Sequence, residues 1–245
     1  MYSTLRTAGP GNSLAEEVYP RIATPVANDL RVRSYAPAPS VRRALPLRRA
    51  LDLTFAIVAA VFLAPLLLLI SLMIKVQDGG PILFSQERIG RHGVKFRCYK
   101  FRSMRPGAEA YLARILASNP ELRRQWATDH KLKQDPRITQ LGSFLRRSSL
   151  DELPQLINII RGEMSIVGPR PIVEAEISRY CRWYRYYTMV RPGLTGLWQV
   201  SGRNDVSYRR RIAMDRLYVR THSLTSYVTI VLATIPAVLV RRGSY

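Results

Sequence analysis

The stretch LDLTFAIVAAVFLAPLLLLISLMI, Leu51 to Ile74, constrains this chain more than any other feature. From Leu53 onward it carries no charge. At 1.5 Å per residue its roughly 22 uncharged residues reach about 33 Å as a helix, the thickness of a bilayer's hydrocarbon core. It lies too deep in the chain for a cleaved signal peptide, and no small-x-small cleavage site follows it. The chain is therefore expected to be a membrane protein. Basic residues stand on both sides of the segment: Arg42, Arg43, Arg48 and Arg49 before it, and Lys75, Arg88, Arg91, Lys95, Arg97, Lys100 and Arg102 after it. Both flanks are thereby drawn to the cytoplasmic side. A crossing helix cannot satisfy that; a helix that enters, bends and returns can. Pro65, at the midpoint, removes one backbone donor and pushes Ala64 away from helical geometry. A spanning helix with a tolerated proline is the commoner object. The two-sided charge favours a re-entrant helix over residues 46–76, bent at Pro65.

The rest of the chain is read around this segment. Residues 1–45 scatter Pro10, Pro20, Pro25, Pro37 and Pro39 among arginines and small residues, with no apolar period, as in a disordered or loosely attached tail. Residues 77–245 are expected to form the catalytic domain, and 245 residues suffice for one such domain with attachments. A net charge of +21 calls for an anionic partner: nucleic acid, an anionic membrane surface or a phosphorylated substrate. Cys98 and Cys181 lie far apart in different contexts, which suits reduced thiols in a cytoplasmic setting and offers no zinc spacing. His92, His130 and His222 are isolated, so a histidine-bound metal is not expected.

Residues 81–104 hold two short β-prone stretches around a turn at Gly90 to Gly93, a hairpin signal. Residues 107–127 read as helical. RITQLGSFLRR, residues 137–147, suits an amphipathic helix lying on an anionic membrane, or equally one covering a soluble core. Residues 150–161 read as another helix, and a further one is expected near Pro171. The uncharged run from Ser223 to Val240 contains Pro236 and is expected to lie in the membrane interface. The fold class is α+β, mainly helical: a monotopic membrane protein with a re-entrant helix, interfacial amphipathic helices and a small β-hairpin.

Chemistry concentrates at SSLDELPQL, Ser148 to Leu156, where Asp151 and Glu152 are adjacent. Ser149 and Glu152 fit a capping box, and Asp151 alone could also cap a helix. The surroundings weaken that reading. Arg146 and Arg147 come just before, GPRP follows at Gly168 to Pro171, and VRPGLTGLWQVSGRND spans Val190 to Asp205. Arg170, Arg191 and Arg203 each sit beside Gly or Pro, in turns that can aim a guanidinium at phosphate. A carboxylate among such arginines stays ionised and can attack phosphorus, provided that cations offset the repulsion. Adjacent carboxylates also supply the oxygen ligands that a hard metal ion prefers.

These strings, together with KFRSM and DPRIT, resemble the bacterial sugar transferase family, the monotopic polyprenyl-phosphate hexose-1-phosphate transferases. The resemblance runs from about Arg48 to the C-terminus, about four-fifths of the chain. GRNDVSY and TIPAVLVRRGSY are most similar to its exopolysaccharide-initiating branch, typified by galactosyl-phosphate transferases of succinoglycan synthesis. The resemblance implies transfer of hexose 1-phosphate from a UDP-hexose, UDP-galactose or UDP-glucose, to undecaprenyl phosphate, with release of UMP. It implies that Asp151 is the nucleophile of a covalent phosphosugar intermediate, that Glu152 assists, and that Mg2+ is required, with Asp151 and Glu152 as its protein ligands. The family's substrate-phosphate residues fall on Lys100, Arg102, Arg146, Arg170 and Arg203. Its helix break falls on Pro65, although family members often carry serine where this chain has Ala64. The implied place is the cytoplasmic face of a bacterial inner membrane, on an anionic bilayer, and the additional N-terminal domain of larger relatives is not expected. The competing reading is a basic membrane-associated protein that binds nucleic acid or lipid without catalysis. It lacks a helix-turn-helix, zinc or RNP signature, and nucleic acid is not the expected partner. The sequence also lacks the DxD of ordinary metal-dependent glycosyltransferases.

Overall fold

The computed structural model describes residues 39–239, except 130, 131, 133, 203–205 and 222. The tail expected over residues 1–45 lies outside the described residues as far as residue 38. In chain order the elements are α1 (Pro39–Phe62), α2 (Ala64–Asp78), the strands β1 (Leu83–Ile89) and β2 (Lys95–Phe101), α3 (Ala108–Ser118), α4 (Pro120–Asp129), α5 (Gln140–Arg147), a 3-10 turn at Leu150–Glu152, α6 (Gln155–Arg161), β3 (Ser165–Val167), α7 (Ile177–Tyr180), α8 (Tyr184–Tyr187), β4 (Gly193–Thr195), α9 (Leu197–Val200), α10 (Tyr208–Thr221) and α11 (Leu224–Leu239). The fold is α+β and mainly helical, with one antiparallel hairpin and one short parallel pair.

The apolar segment forms two helices that bend by 62°. The break falls at Leu63 (φ −88°, ψ 0°), one residue before the expected Ala64, which is already helical. Pro65 sits in the first turn of α2 and cannot donate to the carbonyl of Val61, so the ladder is interrupted there. No single helix among the described residues is long and apolar enough to cross a membrane; the bent pair meets that test together. Its outer face is apolar and uncovered: Phe62 is 81% exposed, Leu68 71% and Val76 76%.

The inner face packs on the larger of two compact units, which comprises residues 39–103 and 139–239. Arg48 donates to the Tyr218 hydroxyl (2.9 Å), and buried Asp52 accepts from Ser165 Oγ, the Ile166 amide and the Tyr227 hydroxyl, each at 2.9 Å. These charges hold α1 to β3, α10 and α11. Asp52 Oδ1 thus takes three donors, which offsets much of the cost of burying its charge, while Arg48 also lies over the Tyr218 and Tyr227 rings. Ile70, Ile74, Phe101 and Leu145 form a further buried cluster that joins α2, β2 and α5. Burying each such aliphatic side chain contributes about 1.5–3 kcal/mol.

The hairpin matches expectation. Its register pairs Arg88 with Phe96, Gln86 with Cys98 and Phe84 with Lys100, and the turn uses His92 (φ 59°) and Gly93 (φ 77°). The helix expected over 107–127 is two helices, because Asn119 turns extended and Pro120 opens a new one. These helices belong to the smaller unit, described over 104–138, where Leu112, Leu116 and Leu132 form the core and Arg137 lies over the Trp126 ring. The amphipathic stretch 137–147 becomes α5, capped by Thr139 accepting from the Gly142 amide at 2.9 Å. Near Pro171 a 3-10 turn at Glu174–Glu176 leads into the short α7. The run from Ser223 is helical, as α11.

Candidate active site

The dyad does not cap a helix. Ser149 adopts left-handed backbone (φ 58°, ψ 14°) and its side chain makes no capping bond; Leu150, Asp151 and Glu152 then form a 3-10 turn. Helix α6 starts three residues later, at Gln155, with Pro154 before it. The expected single helix over 150–161 is thus split, since proline restricts the residue before it and donates no hydrogen bond. Both carboxylates are left to interact across the fold.

Strand β2 meets them. Period-two alternation puts Arg88, Phe96, Cys98 and Lys100 on one face of the hairpin. Asn158 of α6 fixes the strand against the dyad: its amide donates to Arg97 O (2.7 Å) and accepts from the Tyr99 amide (3.0 Å). Lys100 Nζ then lies 2.6 Å from Glu152 Oε1 and 3.8 Å from Asp151 Oδ2. Arg170 reaches the same Glu152 oxygen at 3.2 Å.

The two acids are driven apart electrostatically. Burial raises the Asp151 carboxyl above its ordinary value; Glu152 adds to this, while Lys100, Arg146 and Arg170 oppose it. Burial acts in the same sense on Glu152, but Lys100 and Arg170 outweigh it and hold that carboxyl at about 2. Glu152 in turn raises the Arg170 guanidinium. The arrangement gives one acid that is charged throughout the neutral range and one that sits, buried, close beside a cation.

The other expected residues separate. Arg146 donates from Nε to Ser103 Oγ at 2.8 Å, and its charge reaches Asp151. Arg102 goes elsewhere: both of its amino groups hold the carboxylate of Asp78 at the end of α2. Arg203 lies outside the described residues. Arg191 donates to the Gly162 carbonyl (2.6 Å), while Arg49 takes the carbonyls of Ile159 and Ile160; both close the end of α6. Arg170 is positioned by a backbone crossing, in which Gly168 donates to Thr195 O (2.9 Å) and Gly193 donates to Pro169 O (2.8 Å). A Cβ on Gly193 would stand 2.0 Å from the Gly168 nitrogen, so the crossing needs glycine.

Several participants escaped the sequence reading. A small recess beside the dyad is lined by Arg88, Cys98, Lys100, Glu152, Gln155 and Arg170, among others. Arg88 donates to the Pro171 carbonyl at 3.0 Å, next to Arg170. Hairpin alternation places Arg88, Cys98 and Lys100 on one face and could have grouped them; Gln155 and Asn158 gave no comparable signal. Cys98 is buried, and burial raises its thiol, which suits a packing role.

Magnesium takes one or two protein carboxylates and completes its shell with water and substrate phosphates. Among the described residues no group of three His, Cys, Asp or Glu side chains is placed to hold a metal. The adjacent pair fits the sparser mode. The cation contacts of Glu152 fall on Oε1, and Lys100 stands farther, at 3.8 Å, from Asp151 Oδ2, so Glu152 Oε2 and Asp151 Oδ1 are the oxygens without a cation contact among these pairs.

Residues 43–241 match the bacterial sugar transferase family, and the chain belongs to it. It is 52% identical over 198 residues to the exopolysaccharide production protein ExoY of Sinorhizobium fredii, covering 81% of this chain and 88% of that one. It is 50% identical to a UDP-galactose-lipid carrier transferase of Erwinia amylovora and 49% identical to the undecaprenyl-phosphate galactose phosphotransferase of Salmonella typhimurium. Those matches cover 81% of this chain and 42% of each relative, so the chain spans less than half of their length.

Proposed function

We propose that this phosphoglycosyl transferase moves a hexose 1-phosphate from a UDP-hexose to undecaprenyl phosphate, releasing UMP, as the first membrane step of exopolysaccharide assembly. The relatives' names support undecaprenyl phosphate as the acceptor and UDP-galactose as the first donor to test, with UDP-glucose next. The observation that carries the reading is the split dyad: Glu152 is neutralised by Lys100 and Arg170, while Asp151, 3.8 Å from Lys100, keeps a carboxylate for chemistry.

In the first step an Asp151 carboxylate oxygen bonds to the β-phosphorus of the donor. The bond from that phosphorus to the bridging oxygen breaks, and UMP leaves with the electron pair. Lys100 and Arg170 offset the negative charge that gathers as two anions meet. In the second step an oxygen of the lipid phosphate bonds to the same phosphorus and displaces the Asp151 carboxylate. Two moderate barriers replace one high one. When bound to Asp151 and Glu152, magnesium would supply further neutralisation of the diphosphate. The re-entrant reading of α1 and α2 is part of the same proposal: a monotopic chain at the cytoplasmic face of a bacterial inner membrane, with α5 and α11 at the bilayer surface, meets a soluble nucleotide sugar and a lipid phosphate at one level.

The test is mass spectrometry of the detergent-solubilised chain incubated with UDP-hexose alone. The peptide containing Asp151 should gain one hexose phosphate, and undecaprenyl phosphate should then remove it. UMP release that requires both substrates to be bound first would overturn the covalent route. Chelation of divalent ions should abolish UMP release, and unchanged turnover in excess chelator would remove magnesium from the scheme.

A further inference from the structure

Arg102 lies one residue past the end of β2, and its amide continues the ladder by donating to Ile82 O at 2.9 Å. It is two residues from Lys100 and so on the same side of the chain. Its side chain is 8% exposed. Nη1 donates to Asp78 Oδ2 at 3.0 Å and Nη2 to Asp78 Oδ1, a bidentate pair. Asp78 Oδ1 also accepts from the Gly80 amide at 3.1 Å. The guanidinium lies flat against Gly80, where a Cβ would stand 2.7 Å from Nη1 and 3.0 Å from Cζ. Gly80 is not among the positive-φ glycines, so a side chain there would be opposed by the Arg102 guanidinium, which it would push aside, and not by the backbone. Behind the pair, Ile70 and Ile74 of α2 pack on Phe101 and Leu145.

We infer that Asp78 and Arg102 form a strut, closed over Gly80, that fixes the end of the apolar helix pair to the strand carrying Lys100 and thereby holds Lys100 against Glu152. Arg102 then acts as a positioning residue through Lys100, not as a ligand of the substrate's phosphates. Without the strut the end of β2 keeps the Asn158 and Ile82 bonds but loses its side-chain tie to α2, which loosens the placement of the ammonium 2.6 Å from Glu152. The inference rests on the transferase reading of the dyad, and the experiment keeps the two apart.

Full-length Asp78→Asn, Arg102→Ala, their double variant, and Gly80→Ala with and without Arg102→Ala are assayed for UMP release and for thermal stability. A strut requires Asp78→Asn and Arg102→Ala each to lower kcat by about 10- to 100-fold with KM for UDP-galactose little changed, and the double variant to be no worse than either single one. Gly80→Ala should reproduce the loss in the wild-type background and add nothing to Arg102→Ala. If Asp78→Asn keeps full turnover while Arg102→Ala raises KM, Arg102 is a substrate ligand and the inference fails. It also fails if stability falls in the single variants while kcat does not. A wild-type protein that releases no UMP from any UDP-hexose defeats the transferase reading instead. The stability cycle then judges the strut alone: additive losses at Asp78 and Arg102 overturn it, and non-additive losses support it.

Discussion

Burial in the 3-10 turn makes the charge on Asp151 unfavourable, whereas Lys100 and Arg170 make the charge on Glu152 favourable. The two substitutions should therefore behave in opposite ways. A carboxyl raised in the fold contributes stability below its unfolded pKa, and that contribution is lost as pH rises through the folded value. The charged form of Asp151 thus opposes folding, and Asp151→Asn should melt at the same temperature as wild type or higher while releasing no UMP. A lower melting temperature with retained activity would return Asp151 to a structural role. Glu152 is the reverse case, with stability present above its ordinary value and lost as pH falls towards about 2. The sequence alone suggests that Glu152→Gln costs far more activity than stability. The contacts add a stability cost on the order of 3 kcal/mol at neutral pH, because Lys100 and Arg170 lose their counter-charge. Thermal melts of the variant against wild type read that cost. Since the attacking form is the carboxylate, kcat/KM should fall on the acid side with an apparent pKa above the ordinary Asp value of 3.8. An acid limb at or below that value would contradict the raised carboxyl.

Arg170 is held by an element that exists only through close backbone approach, the Gly168–Gly193 crossing of the β3 and β4 ends. That crossing and the Arg88 bond to Pro171 O hold the backbone on either side of Arg170, and Glu152 Oε1, 3.2 Å away, takes its guanidinium. Arg170→Lys should then lose most UMP release although the charge survives, since a flexible ammonium does not reproduce an aimed fork. Near-normal turnover in the lysine variant would make Arg170 a surface residue. The same crossing shows which parts of the fold the sequence revealed. The hairpin was legible because its signals are local: alternating β-prone residues around a glycine turn. The bent apolar pair was legible because Pro65 interrupts one uncharged run. The start of α6 was not, because the SxxE spacing at Ser149 is also a capping pattern, and the choice of a 3-10 turn lies in contacts with β2. The contacts that Arg102, Arg191 and Asp52 make within the fold were not legible for a related reason. Their partners lie far away in the chain, at Asp78, Gly162, Ser165 and Tyr227. Charge beside a motif indicates an anion nearby; it does not say whether that anion belongs to substrate or to the protein.

At the scale of the whole molecule, the decisive question is which side of a bilayer each end of the α1–α2 pair occupies. The bend of 62° at Leu63 leaves an uncovered apolar face on both helices, including Val61, Phe62, Leu68, Leu72 and Val76. Both ends of the pair are tied to one compact unit: the start of α1 through Arg48 and Asp52 to Tyr218 and Tyr227, and the end of α2 through Asp78 to Arg102. A helix pair that crossed the bilayer would place these two anchorages on opposite sides and tear one of them from the unit. The basic flanks add a cost for moving either end across. Single cysteines at Leu47 and Val94, both exposed, in a chain whose Cys181 is replaced by serine, should therefore react together with a membrane-impermeant maleimide from the cytoplasmic side only. Labelling of the two positions from opposite sides would establish a spanning helix and remove the re-entrant arrangement. Pro65→Leu supplies the complementary arm. Leucine restores the amide that proline lacks, the bonded ladder through Val61 can close, and the break at Leu63 loses its cause. A fraction of the Pro65→Leu molecules should then show Leu47 and Val94 on opposite sides, and that fraction should have lost UMP release, because straightening the pair cannot keep both anchorages. A Pro65→Leu chain that labels like wild type and keeps full turnover would show that the anchorages alone set the bend.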